Sequence, residues 1–166
     1  PSLNGLQVEG FAECNCIATA CTASLEAIDA AIEEGADTLI VHHGLIWRGQ
    51  SVPIVGAYRD RINALLESNI NLLAYHLPLD AHKDVGNNRY LCDLLGLTEI
   101  DYIEKGVPQS IAMQGILQEP LTIKDVAQNL SDNLHTNVQV LGDCDENILL
   151  STFAVCSGSG SFLVDE

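Results

Sequence analysis

The spacing of apolar and polar positions over residues 16–41 predicts a β-α-β unit. Residues 16–21 form a short apolar run that is typical of a buried strand. An amphipathic stretch follows, and its apolar stripe consists of Leu25, Ile28, Ala31 and Ile32. Gly35 suits the left-handed position that ends a helix, and residues 38–41 form the next apolar run. Because two strands joined by a helix are normally parallel, we expect a parallel pair here.

The same pattern repeats over residues 58–75. A second helical stripe consists of Tyr58, Ile62, Leu65 and Leu66. Asn69 is expected to close this helix, and residues 70–75 form a third apolar run. We therefore predict an α/β fold with a mostly parallel sheet in its first lobe. In such sheets, ligands bind beyond the carboxyl ends of the strands.

The second half of the chain predicts a smaller α/β lobe. A helix over residues 87–95 is expected to end at Gly96, and helical periodicity lapses after it. We place the boundary so that residues 1–103 form the first lobe and residues 104–166 the second. The further predicted elements are strands at 111–117, 138–141 and 148–155, a helix that begins at Thr122 and a new element from Phe162.

The ends of the sequence suggest that it is incomplete. The chain begins at Pro1 without a methionine and ends in an apolar run at residues 162–164. We therefore expect both termini of the natural protein to be missing, together with part of the second lobe.

The charge of the chain narrows the range of partners. The formal net charge is −16, with only 7 Lys and Arg residues against 23 Asp and Glu. Such a surface repels phosphate backbones and anionic membranes, so nucleic acid and membranes are poor partners. No apolar stretch approaches the roughly 18–20 residues that a membrane span requires. A small anionic or nucleotide-like substrate would need a local positive centre, which bound metal cations would supply.

The six cysteines do not form a disulfide pattern. We expect Cys16, Cys21, Cys92 and Cys156 to be buried free thiols. Cys14 and Cys16 form a single C-x-C pair without a second pair, which is weak support for a zinc site. Free thiols indicate a reducing compartment, and we expect the protein to be cytoplasmic.

Three histidines and one aspartate follow two of the predicted strands. His42 and His43 end the apolar run at 38–41, and His76 ends the run at 70–75, with Asp80 four residues later. Parallel neighbours bring their carboxyl ends to one edge of the sheet, so these side chains are predicted to meet. Imidazole and carboxylate together suit Zn, Mn, Fe, Co or Ni. The alternative for each single histidine is a surface or core residue with an ordinary hydrogen bond.

Two metal ions are expected in preference to one. Adjacent residues in an extended strand point to opposite sides, so His42 and His43 should bind different ions. Gly44 gives the backbone freedom to turn after them.

The other histidines and two residues after Gly44 have open roles. His82 either contacts a substrate, or contacts a metal ligand from behind, or is a solvated loop residue, and His135 is expected at the surface. Trp47 either forms a wall of the site or packs at its rim. Arg48 either binds an anionic group or packs at the rim. The catalytic residues stay unknown.

These motifs resemble one protein family. The segments Asn4–Gly10, Gly35–Asp37, Val41–Trp47, His76–His82 and Gly86–Asn88 resemble the dinuclear-metal-centre hexameric protein family. Its members are also called interacting-factor-three-like proteins, and many are labelled GTP cyclohydrolase type 2 homologues. The resemblance is strongest from Asn4 to Leu97.

The resemblance implies both an architecture and a ligand set. It implies a two-lobed α/β protomer that assembles into a toroidal homo-hexamer with two divalent metal ions per site. It assigns metal ligation to His42, His43 and Asp80, with His76 at or next to the site. The family also uses a His and a Glu, four residues apart, near its C-terminus. This sequence ends before that region, and His135 does not lie in the matching context.

The implied activity is that of a metal-dependent hydrolase. Two metal ions can activate water near neutral pH and polarise a substrate oxygen. Opening of the purine imidazole ring of GTP is the reaction that the family label implies, and phosphoester hydrolysis is an alternative. A metal-binding regulatory or scaffold protein without turnover is a further alternative from a different class.

Overall fold

The structure, a computed structural model, describes residues 2–103, 111–142, 145 and 147–158. The chain forms two compact units, Pro1–Leu79 and Asp80–Glu166. Each unit has its own sheet and its own hydrophobic core. Within the described residues, no helix is long and apolar enough to cross a membrane.

The first unit is built on a four-stranded sheet. Its elements are β1 (Gly5–Val8), β2 (Ile17–Thr22), α1 (Leu25–Glu33), β3 (Thr38–His43), α2 (Gly56–Glu67) and β4 (Asn71–Ala74). The strand order is β1-β4-β3-β2. Strands β2, β3 and β4 are parallel, and β1 pairs antiparallel with β4. The predicted α/β fold with a mostly parallel sheet is confirmed, whereas β1 was not predicted.

Local signals in the sequence set the ends of the two helices. The Ser24 side chain accepts a hydrogen bond from the Ala27 N–H and caps α1. Gly35 has φ +70° after α1, and Asn69 has φ +53° after α2. Both residue types reach the left-handed conformation at low cost, which is why they end these helices as predicted.

The apolar stripes and strands form the core of the first unit. The fully buried residues include Ile28, Leu39, Leu65, Ile70 and Leu72. Burial of each such side chain stabilises the fold by about 1.5–3 kcal/mol. Leu66 was predicted on the buried stripe of α2, but 55% of it is exposed, because it lies at the edge of that stripe.

The second unit carries an antiparallel sheet. The elements after β4 are the short helix α3 (Leu77–Asp80), then α4 (Asn87–Leu94), β5 (Thr98–Tyr102), β6 (Met113–Thr122), α5 (Ile123–Leu134) and β7 (Leu149–Val155). The strand order is β5-β6-β7, and both pairs are antiparallel. Thr122 and Asp125 form a capping box that begins α5 where the sequence predicted it.

One predicted strand of the second unit is wrong. Residues 138–141 have no regular secondary structure. The Val138 N–H donates to the Ser131 hydroxyl of α5 instead of to a strand. Leu141 is 89% exposed, so this apolar run buries too little surface to form a sheet strand. The element predicted from Phe162 lies outside the described residues.

The compact units divide at a different point from the predicted lobes. The sequence placed the boundary between residues 103 and 104, whereas the units divide between Leu79 and Asp80. Helix α4 lies in the second unit because Cys92 and Leu95 pack with Met113 of β6. The lobe division into residues 1–103 and 104–166 stays a prediction.

The prediction of buried cysteines holds for only part of the set. All five described cysteines carry free thiols, and Cys92 is buried. Cys156 is half-buried, and burial, followed by the negative charge of Asp80, raises the pKa of its thiol. Cys16 and Cys21 are exposed, which corrects the prediction. Cys21 lies in β2, which is an edge strand of its sheet, and Cys16 directly precedes that strand.

Candidate metal centre

The carboxyl ends of β3 and β4 bring three histidines together. Val41 pairs with Ala74 in the parallel register, so both strands end at the same edge of the sheet. His42 and His43 are the last residues of β3, and His76 follows β4 by two residues. One ligand nitrogen from each ring lies within 4.8 Å of those from the other two. The predicted convergence of these histidines is therefore correct.

The side chains of His42 and His43 do not diverge as the sequence predicted. Their ring centroids are 4.5 Å apart, and the rings are tilted by 51°. Hydrogen bonds to neighbouring segments hold both rings at the strand exit. The Nδ1 of His42 lies 3.1 Å from the Tyr75 carbonyl oxygen, and the Nδ1 of His43 lies 3.1 Å from the Thr22 hydroxyl oxygen.

The hydrogen bond to Tyr75 also selects a tautomer of His42 that suits metal binding. A carbonyl only accepts, so the Nδ1 of His42 carries the proton and donates to Tyr75. The lone pair of that ring is then on Nε2, which is the arrangement found in most metal-ligating histidines. The Thr22 hydroxyl can either donate to or accept from the His43 Nδ1, so this contact holds the ring in place without selecting its tautomer.

The size and chemistry of the histidine cluster fit a divalent metal ion. Imidazole nitrogens bind zinc at about 2.0–2.1 Å, so two of them on one tetrahedral ion lie roughly 3.4 Å apart. The observed separations between the ligand nitrogens are all within 4.8 Å. A small movement of the side chains would bring the nitrogens to the spacing that a bound ion requires. The three histidines are therefore able to bind a metal ion.

Trp47 forms an aromatic wall beside this histidine cluster. Its ring centroid lies 5.2 Å from that of His76, edge to face, and 6.2 Å from that of His43, stacked. The indole N–H donates to the Gly44 carbonyl at 3.0 Å. The apolar faces of the indole thus border the imidazoles, as the sequence suggested, whereas Arg48 is exposed.

Asp80 lies in the second unit and is held as an oriented carboxylate. It is 5% exposed. Its Oδ1 accepts hydrogen bonds from the Asn87 amide at 2.8 Å and from the Ser157 hydroxyl at 2.9 Å. Ligating carboxylates are commonly fixed by such partners. The predicted metal ligand is thus placed and oriented within its own unit.

The environment of Asp80 depends on a fully buried asparagine. The Asn88 amide donates to the Ile111 carbonyl at 2.6 Å, and its oxygen accepts from the Ser157 N–H at 2.6 Å. Asn88 is 0% exposed, and it ties the end of β7 to the loop before β6. This network lies within the second unit.

Comparison with known proteins identifies the family. A sequence profile of Duf34/NIF3 (NGG1p interacting factor 3) matches residues 2–166. The chain belongs to the Duf34/NIF3 family. The predicted membership is therefore confirmed over nearly the whole chain.

Curated relatives of this Duf34/NIF3 chain carry one common name, GTP cyclohydrolase 1 type 2 homolog. The Haemophilus influenzae protein is 42% identical over 164 residues, which cover 98% of this chain and 64% of that protein. The Vibrio cholerae protein is 40% identical over 162 residues, with the same coverage of both chains. The chain thus spans slightly less than two thirds of the length of these relatives.

Two solved structures are similar to this chain over almost its whole length. The chain is similar to protein ybgI, described as of unknown function, with a TM-score of 0.89 and 39% identity. It is similar to a Thermus thermophilus protein, TTHA1606, with a TM-score of 0.84 and 38% identity. Each match covers 99% of this chain and 64% of the other chain.

The two remaining histidines occupy turns. The Nδ1 of His82 accepts the N–H groups of Asp84 and Val85, both at 3.2 Å, so this ring stabilises its own loop. Its contact with a substrate or metal ligand stays a prediction. His135 ends α5 in the left-handed conformation, with φ +50°, and is exposed as predicted.

Two residues of the Asn4–Gly10 segment contact the backbone next to the histidines, which the sequence pattern does not predict. The Asn4 side-chain oxygen accepts the backbone N–H of His76 at 2.9 Å. Gln7 bonds to the backbone that follows His43. Sequence spacing gives no sign of these contacts, because they join residues that are 38 to 72 positions apart.

Proposed function

We propose that this Duf34/NIF3 chain holds two divalent metal ions and acts in a metal-dependent hydrolase. The observation that carries the metal site is the cluster of His42, His43 and His76, whose ligand nitrogens lie within 4.8 Å of one another. This cluster by itself accounts for one ion, and the family resemblance supports the second. The bonds from Tyr75 and Thr22 support the metal site, because they fix imidazoles as metal ligands do. Imidazole-rich sites favour Zn, Mn, Fe, Co or Ni over Mg or Ca.

Asp80 is proposed as the carboxylate ligand of the same centre. Its orientation by Asn87 and Ser157 supports this role, because a fixed carboxylate loses little side-chain freedom on binding a cation. A carboxylate also offsets part of the charge of the two divalent ions. The family resemblance supports the same assignment.

Divalent ions in such a centre lower the pKa of water and polarise a substrate oxygen. The protein itself contributes position and shielding. Hydrogen bonds hold the rings of His42 and His43 beside that of His76, and the Trp47 ring lies against His43 and His76. Both effects favour hydrolysis of a substrate that is held at the strand exits.

The proposed substrate is a small anion, either GTP or a phosphoester. With a net charge of −16, the chain needs a local positive centre to attract an anion, and the metal ions would provide it. The name of the curated relatives supports a GTP cyclohydrolase type 2-like reaction. Hydrolysis of a phosphoester uses the same activated water, so both substrates belong in the test.

We also propose that the protein forms a toroidal homo-hexamer in the cytoplasm. The family resemblance supports the hexamer, and native mass spectrometry of the purified protein tests it. The free thiols of the five described cysteines support a reducing compartment. The acidic surface opposes nucleic acid as a partner.

The decisive experiment combines metal analysis with an activity screen. The wild type and a His42→Ala/His43→Ala variant are measured for bound metal and for turnover of GTP and a generic phosphoester. His135→Asn is the matched control, because it removes an exposed imidazole and keeps a residue that tolerates positive φ. We expect metal and turnover in the wild type and the control, and loss of both in the double variant.

The outcomes separate the competing functions. Turnover that survives in the double variant contradicts a metal-dependent hydrolase. Only trace metal in the wild type contradicts the metal centre itself. Stoichiometric metal without turnover supports the alternative of a regulatory or scaffold protein that binds metal.

A further inference from the structure

The Gln7 side chain is bonded to the backbone that follows the two histidines of β3. Its Oε1 accepts the N–H groups of Leu45 at 2.7 Å and Ile46 at 3.0 Å. Its Nε2 donates to the carbonyl oxygens of Ile46 at 3.0 Å and Leu3 at 2.6 Å, and to the Ser2 hydroxyl at 2.9 Å. One half-buried side-chain amide therefore contacts five polar groups. Because its nitrogen carries two hydrogens, two of the three acceptors share one of them.

This arrangement requires a glycine next to the histidines. A Cβ atom on Gly44 would collide with the Oε1, Cδ and Nε2 atoms of Gln7. The φ of Gly44 is not positive, so the requirement is space and not backbone conformation. The bend at residues 44–46, which we call the post-histidine bend, is thus shaped by the contact with Gln7.

The segment that carries Gln7 also contacts the second histidine-bearing strand exit. Asn4 accepts the backbone N–H of His76 at 2.9 Å. β1 itself pairs with β4, which leads to His76. Residues 2–8 therefore link the exits of β3 and β4, whose relative position determines the spacing of the three imidazoles.

We propose that Gln7 is a positioning residue of the metal centre, acting through the post-histidine bend on His43 and Trp47. This inference rests on the proposed metal-binding function. Metal ligands must be held within about 0.5 Å of their productive positions, and hydrogen-bonded supporting groups provide that precision. Gln7 acts by fixing the backbone that follows His43.

Two substitutions separate hydrogen bonding from packing. Gln7→Met keeps the length of the side chain and removes all five hydrogen bonds. Gln7→Glu keeps an acceptor for the Leu45 and Ile46 N–H groups but cannot donate to the carbonyls. Gln128→Ala is the control, because it removes an exposed glutamine whose amide donates to Asp132 of the same helix.

The readouts are Co²⁺ affinity and the visible absorption spectrum of bound Co²⁺, which reports coordination geometry. Melting temperature and circular dichroism are measured on the same samples. We expect Gln7→Met to weaken Co²⁺ binding by roughly 10–100-fold and to change the spectrum. Gln7→Glu is expected to keep the fold and to show a smaller loss of affinity, and Gln128→Ala should match the wild type.

Wild-type affinity and an unchanged Co²⁺ spectrum in folded Gln7→Met would overturn the positioning role while leaving the metal centre intact. If Gln7→Met fails to fold, Gln7→Glu decides by the same two measurements. Absence of Co²⁺ binding in the wild type would instead overturn the proposed metal centre, and this inference with it.

Discussion

Trp47 lies edge to face against His76, with 5.2 Å between the ring centroids. It also stacks on His43 at 6.2 Å, and it is the single tryptophan of the chain. All tryptophan emission of the protein therefore originates beside the candidate metal centre. No label is needed to follow metal binding.

Co²⁺ or Ni²⁺ bound by the histidine cluster should quench the emission of Trp47. These ions have partly filled d shells and would lie next to rings that contact the indole, whereas Zn²⁺ is d¹⁰ and should quench far less. A fluorescence titration with Co²⁺, followed by displacement with excess Zn²⁺, measures the effect. Full emission in a sample that retains Co²⁺ after dialysis would place the bound ion elsewhere.

The Thr22 hydroxyl should strengthen metal binding by His43. Thr22→Val removes the partner of the His43 Nδ1 and keeps the shape of the side chain. We expect metal affinity to fall by roughly 10–100-fold, because the hydrogen bond at Nδ1 holds the orientation of the ring. Competition of Zn²⁺ with a chelator measures the dissociation constant. Thr19→Val on the same exposed strand is the control, and equal losses in both variants would reject the role of Thr22.

The carboxylate of Asp37 should stabilise the first unit near neutral pH, and this contribution should be lost in acid. Hydrogen bonds to its carboxylate, first from the Asn15 N–H and then from the Cys16 N–H and the Thr38 hydroxyl, lower its pKa. A lowered pKa in the folded state gives stability that is present above the unfolded pKa of about 3.9 and is lost as the pH falls through the folded value.

Asp37→Asn tests this pH dependence, because its amide cannot accept all of these bonds. The melting temperature of the variant should be lower than that of the wild type at pH 7. The difference should shrink as the pH falls below about 4, where the unfolded wild type begins to bind the proton. It should reach its minimum once the pH has passed the lower pKa of Asp37 in the folded state. Thermal scans across that range provide the measurement. A difference that stays constant with pH would show that the charge of Asp37 contributes nothing.

The convergence of the three histidines could be predicted because it depends on local patterns. Apolar runs mark the strands β3 and β4, and Gly35 and Asn69 mark the helix ends between them. Parallel topology then places both strand exits at one edge. The helix start at Thr122 was predictable for the same reason, since its capping box spans only four residues.

The remaining features depend on contacts between distant residues. Strand β1 is short and partly exposed, so its sequence lacks a clear period-two pattern, and only pairing with β4 defines it. The rings of His42 and His43 are held by Tyr75 and Thr22, and these contacts override the divergence expected from an extended strand. The run at 138–141 has strand-like residues but no partner strand among the described residues.

Asn88 should be essential for the stability of the second unit. It is 0% exposed, it donates to the Ile111 carbonyl, and it accepts from the Ser157 N–H. Asn88→Ala leaves both backbone groups without this partner and creates a small cavity, so the free energy of unfolding should fall by about 2–4 kcal/mol. Urea denaturation followed by circular dichroism measures this change.

Asn133→Ala is the control for this prediction. It removes an exposed asparagine from α5 and should change the free energy of unfolding by no more than about 0.5 kcal/mol. Equal stability of the Asn88 and Asn133 variants would mean that the buried amide is not required. A loss confined to Asn88→Ala would show that the network around Asp80 stabilises the fold as well as orienting the proposed ligand.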